Sequence, residues 1–410
     1  SHLVPYPPEG GVCQRSYHLL RETAKEHSVT FVALYQREHQ VLAEQLDEAK
    51  KHIGEFCESV RVFPMITNNQ FLKYGWAVPV SLLPGQSYVM NWVKSRPYAE
   101  YLVELLKTEE FDAAHFDTIG LAQYRRFIGK IPAVMNHHNI ESHMMLRRAR
   151  KEKSLLKKTI FSVEGRKRAR CEKQLCPTFQ SNLTVSELDG KRLQAIAPGI
   201  RFDVIPNGVD TSYFVPGRHA PIPNTVIFVG SLGWYPNKEA MKWFVKDILP
   251  LLKELMPAVR VKIVGPNPSK DLLQLAQREP SLTVTGWVDD VRPHLEEACV
   301  YVCPIRDGGG TRLKLLDAMA AGKPIVATTL ACEGLHMQDS VHVEIADTPQ
   351  DFAAKTVALL NDEAKRKAMS LAARCLVEER YSFKKIGQNL SEVYNRVSYC
   401  HQQYSIGQVL

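Results

Sequence analysis

The chain has 410 residues, of which 45% are hydrophobic and 23% charged, with a formal net charge of +8. That length exceeds one ordinary core and favours two α/β domains, and no run reaches the ~18 apolar residues of a membrane span. The nine cysteines are scattered and form no close CxxC pair, which fits reduced cytoplasmic thiols and argues against a disulfide framework or a metal site.

In chain order, the apolar fragment His2–Val4 reads as the end of a strand. It leads through Pro5–Pro8 into the turn Gly10-Gly11 and a helix from Arg15. A parallel α/β domain places a full strand ahead of such a turn. The first strand is therefore expected to lack a few residues; were the strand truly absent, its sheet would lose a central member and the domain would be marginal. Ser28–Tyr35 then reads as a strand, Gln40–His52 as a helix and Ser59–Phe63 as a strand. Pro97–Glu109 reads as a helix with its proline at the start, and Phe111–Ile119 and Ala133–Met135 as short strands.

The next segment carries the charge. Arg147–Lys173 holds twelve Lys or Arg against three Glu, a balance of +9, so the rest of the chain sums to about −1. Leu155, Leu156, Ile160, Phe161 and Val163 accompany these cations. The pattern predicts a basic, partly amphipathic helix, either a solvated face or a contact with an anionic membrane surface through residues such as Arg166, Lys167 and Arg168. Few aromatics are interleaved for base stacking, so nucleic acid is not expected as a partner.

After the turn Pro206-Asn207-Gly208 a second strand–helix series begins. Its strands are Thr225–Val229, Val259–Val264, Leu282–Thr285, Val300–Pro304, Pro324–Ala327 and His342–Ile345. Helices at Lys238–Leu255, Lys270–Arg278 and Leu313–Ala321 lie between them. The alternation predicts two Rossmann-like α/β domains with parallel sheets facing a cleft, joined near residue 205.

The most informative stretch is Val302–Thr328. A buried strand runs into Gly308, Gly309 and Gly310, and a helix opens at Thr311. A glycine turn feeding a helix N-terminus presents unpaired N–H groups and the positive end of the dipole, an arrangement that binds phosphate. Arg312 and Lys314 stand in the first turn, where cations oppose the dipole unless an anion lies between.

Six segments in order, PYPPEGGVCQRSYHLL, HHNIES, VIPNGVDTSYF, FVGSLGWYPNKEA, VTGWVDDVRP and GGGTRLKLLDAMAAGKPIV, resemble the retaining glycosyltransferase family 4 from Pro5 to about Tyr394. The resemblance implies the GT-B architecture. Residues 1–205 would form the acceptor domain and 206–382 the donor domain, with the last helix (383–410) packing back on the first. It implies transfer of a sugar from a UDP- or GDP-sugar to a lipid-linked or saccharide acceptor with retention. The setting would be surface polysaccharide or glycolipid synthesis, in the cytoplasm or on the inner face of the plasma membrane. No cofactor is expected, and no metal, since the pair Asp289-Asp290 falls in a loop that the family places near the base.

By the same resemblance, Gly10 and Gly11 approach the donor phosphates, and Gly230 and Ser231 form the second glycine turn. The family often has an Arg where this chain has Ser231, and a Lys near Asn237 or Lys238. Arg312 and Lys314, beside Gly308–Thr311, are expected to compensate by holding the diphosphate. Of the family's Glu-x7-Glu pair, Gly309 takes the first place and Asp317 the second, facing the ribose, with Asp307 a substitute for the first. Gly265, Trp287 and Val288 would meet the base. On the other wall His138 would touch the transferred sugar, with His137 the alternative, and Arg15, Asn139 and Glu141 would meet the acceptor. A helix cap is the other reading of Glu141. With no candidate nucleophile in the cleft, front-face displacement is expected, the leaving phosphate taking the acceptor proton and His138 a weaker option as base. Two rival readings are a catalytically silent glycosyltransferase-like subunit and a nucleotide-sugar epimerase.

Overall fold

The structure is a computed structural model that describes residues 1–8, 10–35, 43–65, 83, 87–308 and 310–406. Its contacts divide the chain into two compact units, Ser1–Pro206 with Ile386–Leu410, and Asn207–Lys385.

Unit 1 opens on α1 (Gly11–Thr23), β1 (Thr30–Tyr35), α2 (Ala43–Gly54) and β2 (Ser59–Pro64). It continues through α3 (Tyr88–Trp92), α4 (Arg96–Thr108), β3 (Ala114–Asp117) and β4 (Ala133–Asn136). A helical hairpin follows, α5 (Glu141–Lys151) and α6 (Leu155–Leu175), and then β5 (Ser181–Thr184), α7 (Glu187–Ile196) and β6 (Phe202–Val204). The strands form two parallel sheets, β1-β2 and β3-β4-β5-β6. Between them Ser1 pairs with β1, its N donating to Val32 O at 2.7 Å and its O accepting from Leu34 N at 3.0 Å. Beyond Ser1 a cavity of ≈990 Å³ is lined by residues of both β1 and β3. The sheet is thus split where the sequence pattern places the short strand. The predicted strand Phe111–Ile119 contracts to β3 because Thr118 adopts φ 129 and the chain then coils through a 3-10 run, Ile119–Phe127. Residues 40–42 of the predicted helix lie outside the described residues.

The hairpin packs tightly. A Cβ on Gly165 of α6 would stand 2.8 Å from the Leu146 side chain of α5, so only glycine allows this approach. Ser154 and Ser186 cap α6 and α7 by accepting from Lys157 N and Asp189 N.

Unit 2 begins with β7 (Thr225–Val229) and α8 (Tyr235–Trp243). A π turn, Phe244–Ile248, joins α8 to α9 (Leu249–Leu255). The sequence reads this region as one helix; Pro250 lacks the N–H that would continue the regular ladder, and the turn widens ahead of it. Next come β8 (Arg260–Val264), α10 (Lys270–Arg278), β9 (Leu282–Gly286), α11 (Arg292–Glu296) and β10 (Val300–Cys303). The unit closes with α12 (Leu313–Ala320), β11 (Ile325–Ala327), β12 (Glu344–Ile345), α13 (Pro349–Asn361) and α14 (Glu363–Arg380). Its single parallel sheet runs β12-β11-β10-β7-β8-β9 over one continuous apolar core. The order reverses between β7 and β10, the neighbours at the centre, and open parallel sheets bind ligands at the carboxyl ends beside such a reversal.

The last helix, α15 (Phe383–Ile406), belongs to unit 1 from Ile386. There Ile386, Leu390, Val393 and Val397 bury against Leu19, Val134, Leu183 and Ile205.

Candidate active site

In unit 2 the candidate residues gather at the carboxyl ends of β7, β8 and β10. Gly308 and Gly310 take φ 105 and 71, values that favour glycine. Gly309 lies outside the described residues. The helix begins at Leu313, as the predicted span Leu313–Ala321 has it, and Arg312 is the N-cap of α12 and so precedes its first turn. Arg312 is only 9% exposed. Its guanidinium donates to Gly310 O at 2.8 Å, Gly308 O at 3.0 Å and Asp307 O at 3.4 Å. It therefore braces the glycine loop, and loop carbonyls screen its charge from the helix dipole. Asp307 caps its own loop, accepting from Gly308 N at 2.7 Å, and Thr311 Oγ1 is held by Asn207 Nδ2 at 2.5 Å.

Lys314 turns the other way. Its Nζ donates to Asn237 Oδ1 at 2.6 Å and lies 4.5 Å from the centre of the Phe228 ring. A Cβ on Gly230 would come within 2.5 Å of that amine, so Gly230 makes the room for Lys314. Asn237 Nδ2 in turn donates to Ser231 O at 2.7 Å, fixing the turn. Gly265 has φ 146, and a Cβ there would stand 2.1 Å from Gly230 O, a backbone clash with no relief. Burial lowers Lys314 to about 8, with Arg312 adding to the fall and Cys303 and Asp317 opposing it. Asp317, one turn along α12, has a carboxyl raised to about 7 by burial against the pull of Lys314. Its Oδ1 is shut off from solvent and has no hydrogen-bond partner among the described residues. An amine beside the Gly230 turn and a carboxyl one helical turn along α12 are thus each disfavoured in the charged form by burial.

The outlying donor candidates are less engaged. Lys238 and Ser231 are exposed, Trp287 is 65% exposed, and Val288 packs partly on the core. Asp290 is taken up by Arg292, which reaches both carboxylate oxygens at 2.7–3.0 Å.

In unit 1 the centre is a residue the sequence reading passed over. Asp117 ends β3, and its buried carboxylate collects four donors. Asn136 Nδ2 (2.7 Å) and His138 Nε2 (2.8 Å) reach Oδ1, while Ser16 Oγ (2.8 Å) and Ser1 Oγ (3.0 Å) reach Oδ2. Burial alone would raise its pKa, but His138, His2 and His115 hold it well below the usual carboxylate range. The signal was present: a polar residue closing an apolar run at the carboxyl end of a parallel strand.

Two acceptor candidates are corrected. Arg15 is 1% exposed, its guanidinium bound to Pro206 O (2.6 Å), Ile205 O (2.7 Å) and Asn136 Oδ1 (3.1 Å), so it ties the fold together. His137 is 2% exposed and bonds Asn182, and burial lowers its pKa to about 4, which makes it a neutral core histidine. His138 is the neighbour that keeps partial exposure, as does Asn139. Glu141 opens α5 and pairs with Arg168 at 2.5 Å. Gly10, with φ 80, precedes α1; it and Gly11 are exposed, and no side chain caps the helix there.

The basic segment also needs correcting. Lys167 and Arg168 are buried, Lys167 donating to Leu83 O and Arg168 bridging Glu141 and Glu164. They hold the hairpin and are not open to a surface. Along α6, Arg166, Arg170 and Lys173 do reach solvent, while the exposed apolar side chains gather in its first turns, Leu155 at 80%, Leu156 at 72% and Ile160 at 48%, beside Lys157 and Lys158.

Residues 9–213 match the family model for Glycosyltransferase Family 4, and residues 223–362 match that for Glycosyl transferases group 1. The chain belongs to glycosyltransferase family 4. Among curated members, the phosphatidyl-myo-inositol mannosyltransferase of Mycobacterium tuberculosis is 30% identical over 229 residues, 53% of this chain and 59% of that protein. An uncharacterized 44.6 kDa protein in the cps region of Klebsiella pneumoniae is 23% identical over 169 residues, 39% of this chain and 43% of its own. The chain thus spans about half the length of these relatives. Among solved structures, sucrose-phosphate synthase from Thermosynechococcus elongatus superposes with a TM-score of 0.65 at 14% identity, covering 95% of this chain and 94% of the other. HepE from Anabaena, in complex with UDP, gives 0.64 at 16% identity, covering 94% and 96%. The family's GT-B fold is shared, with two α/β units built on parallel sheets.

Proposed function

We propose that this chain is a retaining glycosyltransferase that moves a sugar from a UDP- or GDP-sugar to a saccharide or lipid-linked acceptor. The observation that carries this reading is that Lys314 and Arg312, at the start of α12, lie against the turns at Gly230 and Gly308, with the buried carboxyl of Asp317 one helical turn along. In the transfer, the bond from the sugar's anomeric carbon to the phosphate oxygen breaks. The bond to the acceptor oxygen forms on the same face, and the acceptor's proton passes to the leaving phosphate. Lys314 and the helix N-terminus stabilise the charge left on the diphosphate. Asp317, with one oxygen unpartnered, receives the ribose hydroxyls. Support for a nucleotide donor comes from the UDP complex of HepE. Support for a lipid acceptor comes from the mycobacterial mannosyltransferase's name.

The acceptor reading extends to an anionic membrane on the cytoplasmic side. Among the described residues no helix is long and apolar enough to cross a bilayer. Exposed Leu155, Leu156 and Ile160 beside Lys157 and Lys158 suit docking on its surface. Surface polysaccharide or glycolipid synthesis is the setting we favour.

Calorimetric binding of UDP, GDP and dTDP tests the donor site. One nucleotide is expected to bind selectively and to weaken about tenfold or more in Lys314→Met, as the loss of a charged hydrogen bond requires. Absence of binding by all three refutes the proposal. Binding without turnover of any donor by the purified protein favours a silent subunit.

A further inference from the structure

The hydrogen bonds around Asp117 determine which nitrogen of His138 carries a proton. Arginine only donates, so the 3.1 Å contact from Arg15 fixes the amide of Asn136 with Oδ1 toward the guanidinium. Asn136 must then present Nδ2 to Asp117, at 2.7 Å from Oδ1. That oxygen is an acceptor, and His138 Nε2 meets the same atom at 2.8 Å. His138 Nε2 therefore bears the hydrogen, and in the neutral ring Nδ1 keeps the lone pair. Among the described residues Nδ1 has no hydrogen-bond partner.

We propose that Asp117 is a positioning residue for sugar transfer, which together with Asn136 and Arg15 locks His138 in the Nε2–H tautomer and turns Nδ1 into the acceptor for a substrate hydroxyl. The kinetic part rests on the transferase reading; the tautomer does not. The arrangement has the features of a preorganised site. Arg15 is 1% and Asn136 0% exposed, and Asp117 is 6% exposed, so the relay is sealed from water that would let it reorient. It is also anchored at both ends. Arg15 holds the carbonyls of Ile205 and Pro206, and Ser16 of α1 holds the second oxygen of Asp117.

The charged and titratable side chains facing Asp117 are few. His115 stands two residues before it on β3, bonded to Tyr394 Oη of α15 at 2.7 Å. His2 meets the Asp117 carbonyl at 3.0 Å, and its ring lies 6.1 Å from that of His138. Arg15 of α1 is the permanent cation. Burial lowers His2 and His115 each to about 4, so near neutral pH neither competes for the negative charge. His138 is the partner that the carboxylate serves. An imidazole so held gives a directed acceptor, and any positive charge it gains is met by a carboxylate already in place.

The test uses the full chain labelled with [15N]histidine, the His138 ring signals being assigned by their loss in His138→Gln. Wild type is expected to carry its proton on Nε2. Asp117→Asn, which keeps an acceptor oxygen, is expected to retain that tautomer, and Asp117→Ala to populate both. With UDP-glucose, UDP-N-acetylglucosamine or GDP-mannose, whichever wild type turns over, Asp117→Ala should lose at least tenfold in kcat with KM within about threefold. Asp117→Asn should recover most of that loss. A wild-type ring protonated on Nδ1 overturns the proposal, whatever the variants do and even if they fail to fold. So does an Asp117→Ala protein that keeps wild-type kcat. If no donor is turned over by wild type, the transferase reading fails while the ring signals still decide the tautomer.

Discussion

Asp317→Asn is the substitution with the sharpest physical consequence. The carboxyl sits in α12 with Oδ1 cut off from solvent and unpartnered, and its pKa is raised to about 7. In the unfolded chain it would titrate near 3.8. The native state therefore holds this proton more tightly. Its contribution to stability is full below about 3.8 and is lost as pH rises through about 7. At ~1.4 kcal/mol for each tenfold in proton affinity, the loss is bounded at roughly 4 kcal/mol, and partial exposure of the residue brings the expectation to about 2–3 kcal/mol. Asparagine keeps the shape and never ionises. Urea unfolding of both proteins from pH 5 to 7.5 should show the variant gaining steadily, and being the more stable above pH 7. Keeping to that range avoids Lys314, lowered to about 8, whose contribution has the opposite sign and is lost as pH falls through that value. Glu172, also raised to about 7, titrates equally in both proteins and cancels in the difference. If Asp317 receives ribose hydroxyls, the stabler variant binds nucleotide more weakly, by about 1.5–3 kcal/mol for hydrogen bonds to a charged group. Parallel stability curves would refute the claim that this carboxyl is strained in the native state.

Other substitutions test the neighbouring elements. Gly265→Ala puts a methyl 2.1 Å from Gly230 O at φ 146, so thermal unfolding should show a loss of about 3 kcal/mol or more, with the nucleotide site disturbed. Arg168→Met removes the cation between Glu141 and Glu164 at the hairpin; Glu164 keeps Ser87 and Tyr88 as donors and Glu141 is partly exposed, so the cost should be about 3 kcal/mol, the low end for a buried pair, whereas exposed Arg166→Glu should leave the melting curve unchanged. Replacing Leu155 and Leu156 with aspartate should abolish flotation with phosphatidylglycerol vesicles without lowering stability, since both side chains are already in solvent. Retained flotation removes the membrane claim.

Much of unit 2 is legible in its sequence because each strand is an apolar run bounded by turn residues. Thr225–Val229 and Lys270–Arg278 fall where the pattern places them. Unit 1 is harder. Ser181–Thr184 and Phe202–Val204 read poorly as strands, since Ser181, Asn182 and Thr184 are polar and buried only through tertiary partners such as Asp203 and the Arg201 carbonyl. The basic segment misleads for a related reason. A count of cations cannot tell Arg168, held between two glutamates, from Lys157, which faces solvent, because both sit on the same helix and differ only in what packs against it. His137 and His138 are likewise equivalent in sequence. The chain's exit from β4 turns the first toward Asn182 and the second toward Asp117.

The start of α12 shows why two cations can stand at a helix N-terminus before any anion arrives. Each is stabilised differently, and the difference predicts how each responds to a ligand. Arg312 has its charge distributed over the carbonyls of Asp307, Gly308 and Gly310, so removing it disorders the loop as well as the charge. Lys314 has one amide oxygen and an aromatic face, and burial leaves it easier to deprotonate. A diphosphate at the glycine turns restores its preference for the charged form. Nucleotide binding should therefore take up a proton at pH 8–8.5, where free Lys314 is partly neutral, and little at pH 6.5. Calorimetry in buffers of different ionisation enthalpy measures that uptake, and Lys314→Met should abolish it. An uptake that survives the substitution would assign the proton to another group and remove Lys314 from contact with the phosphates.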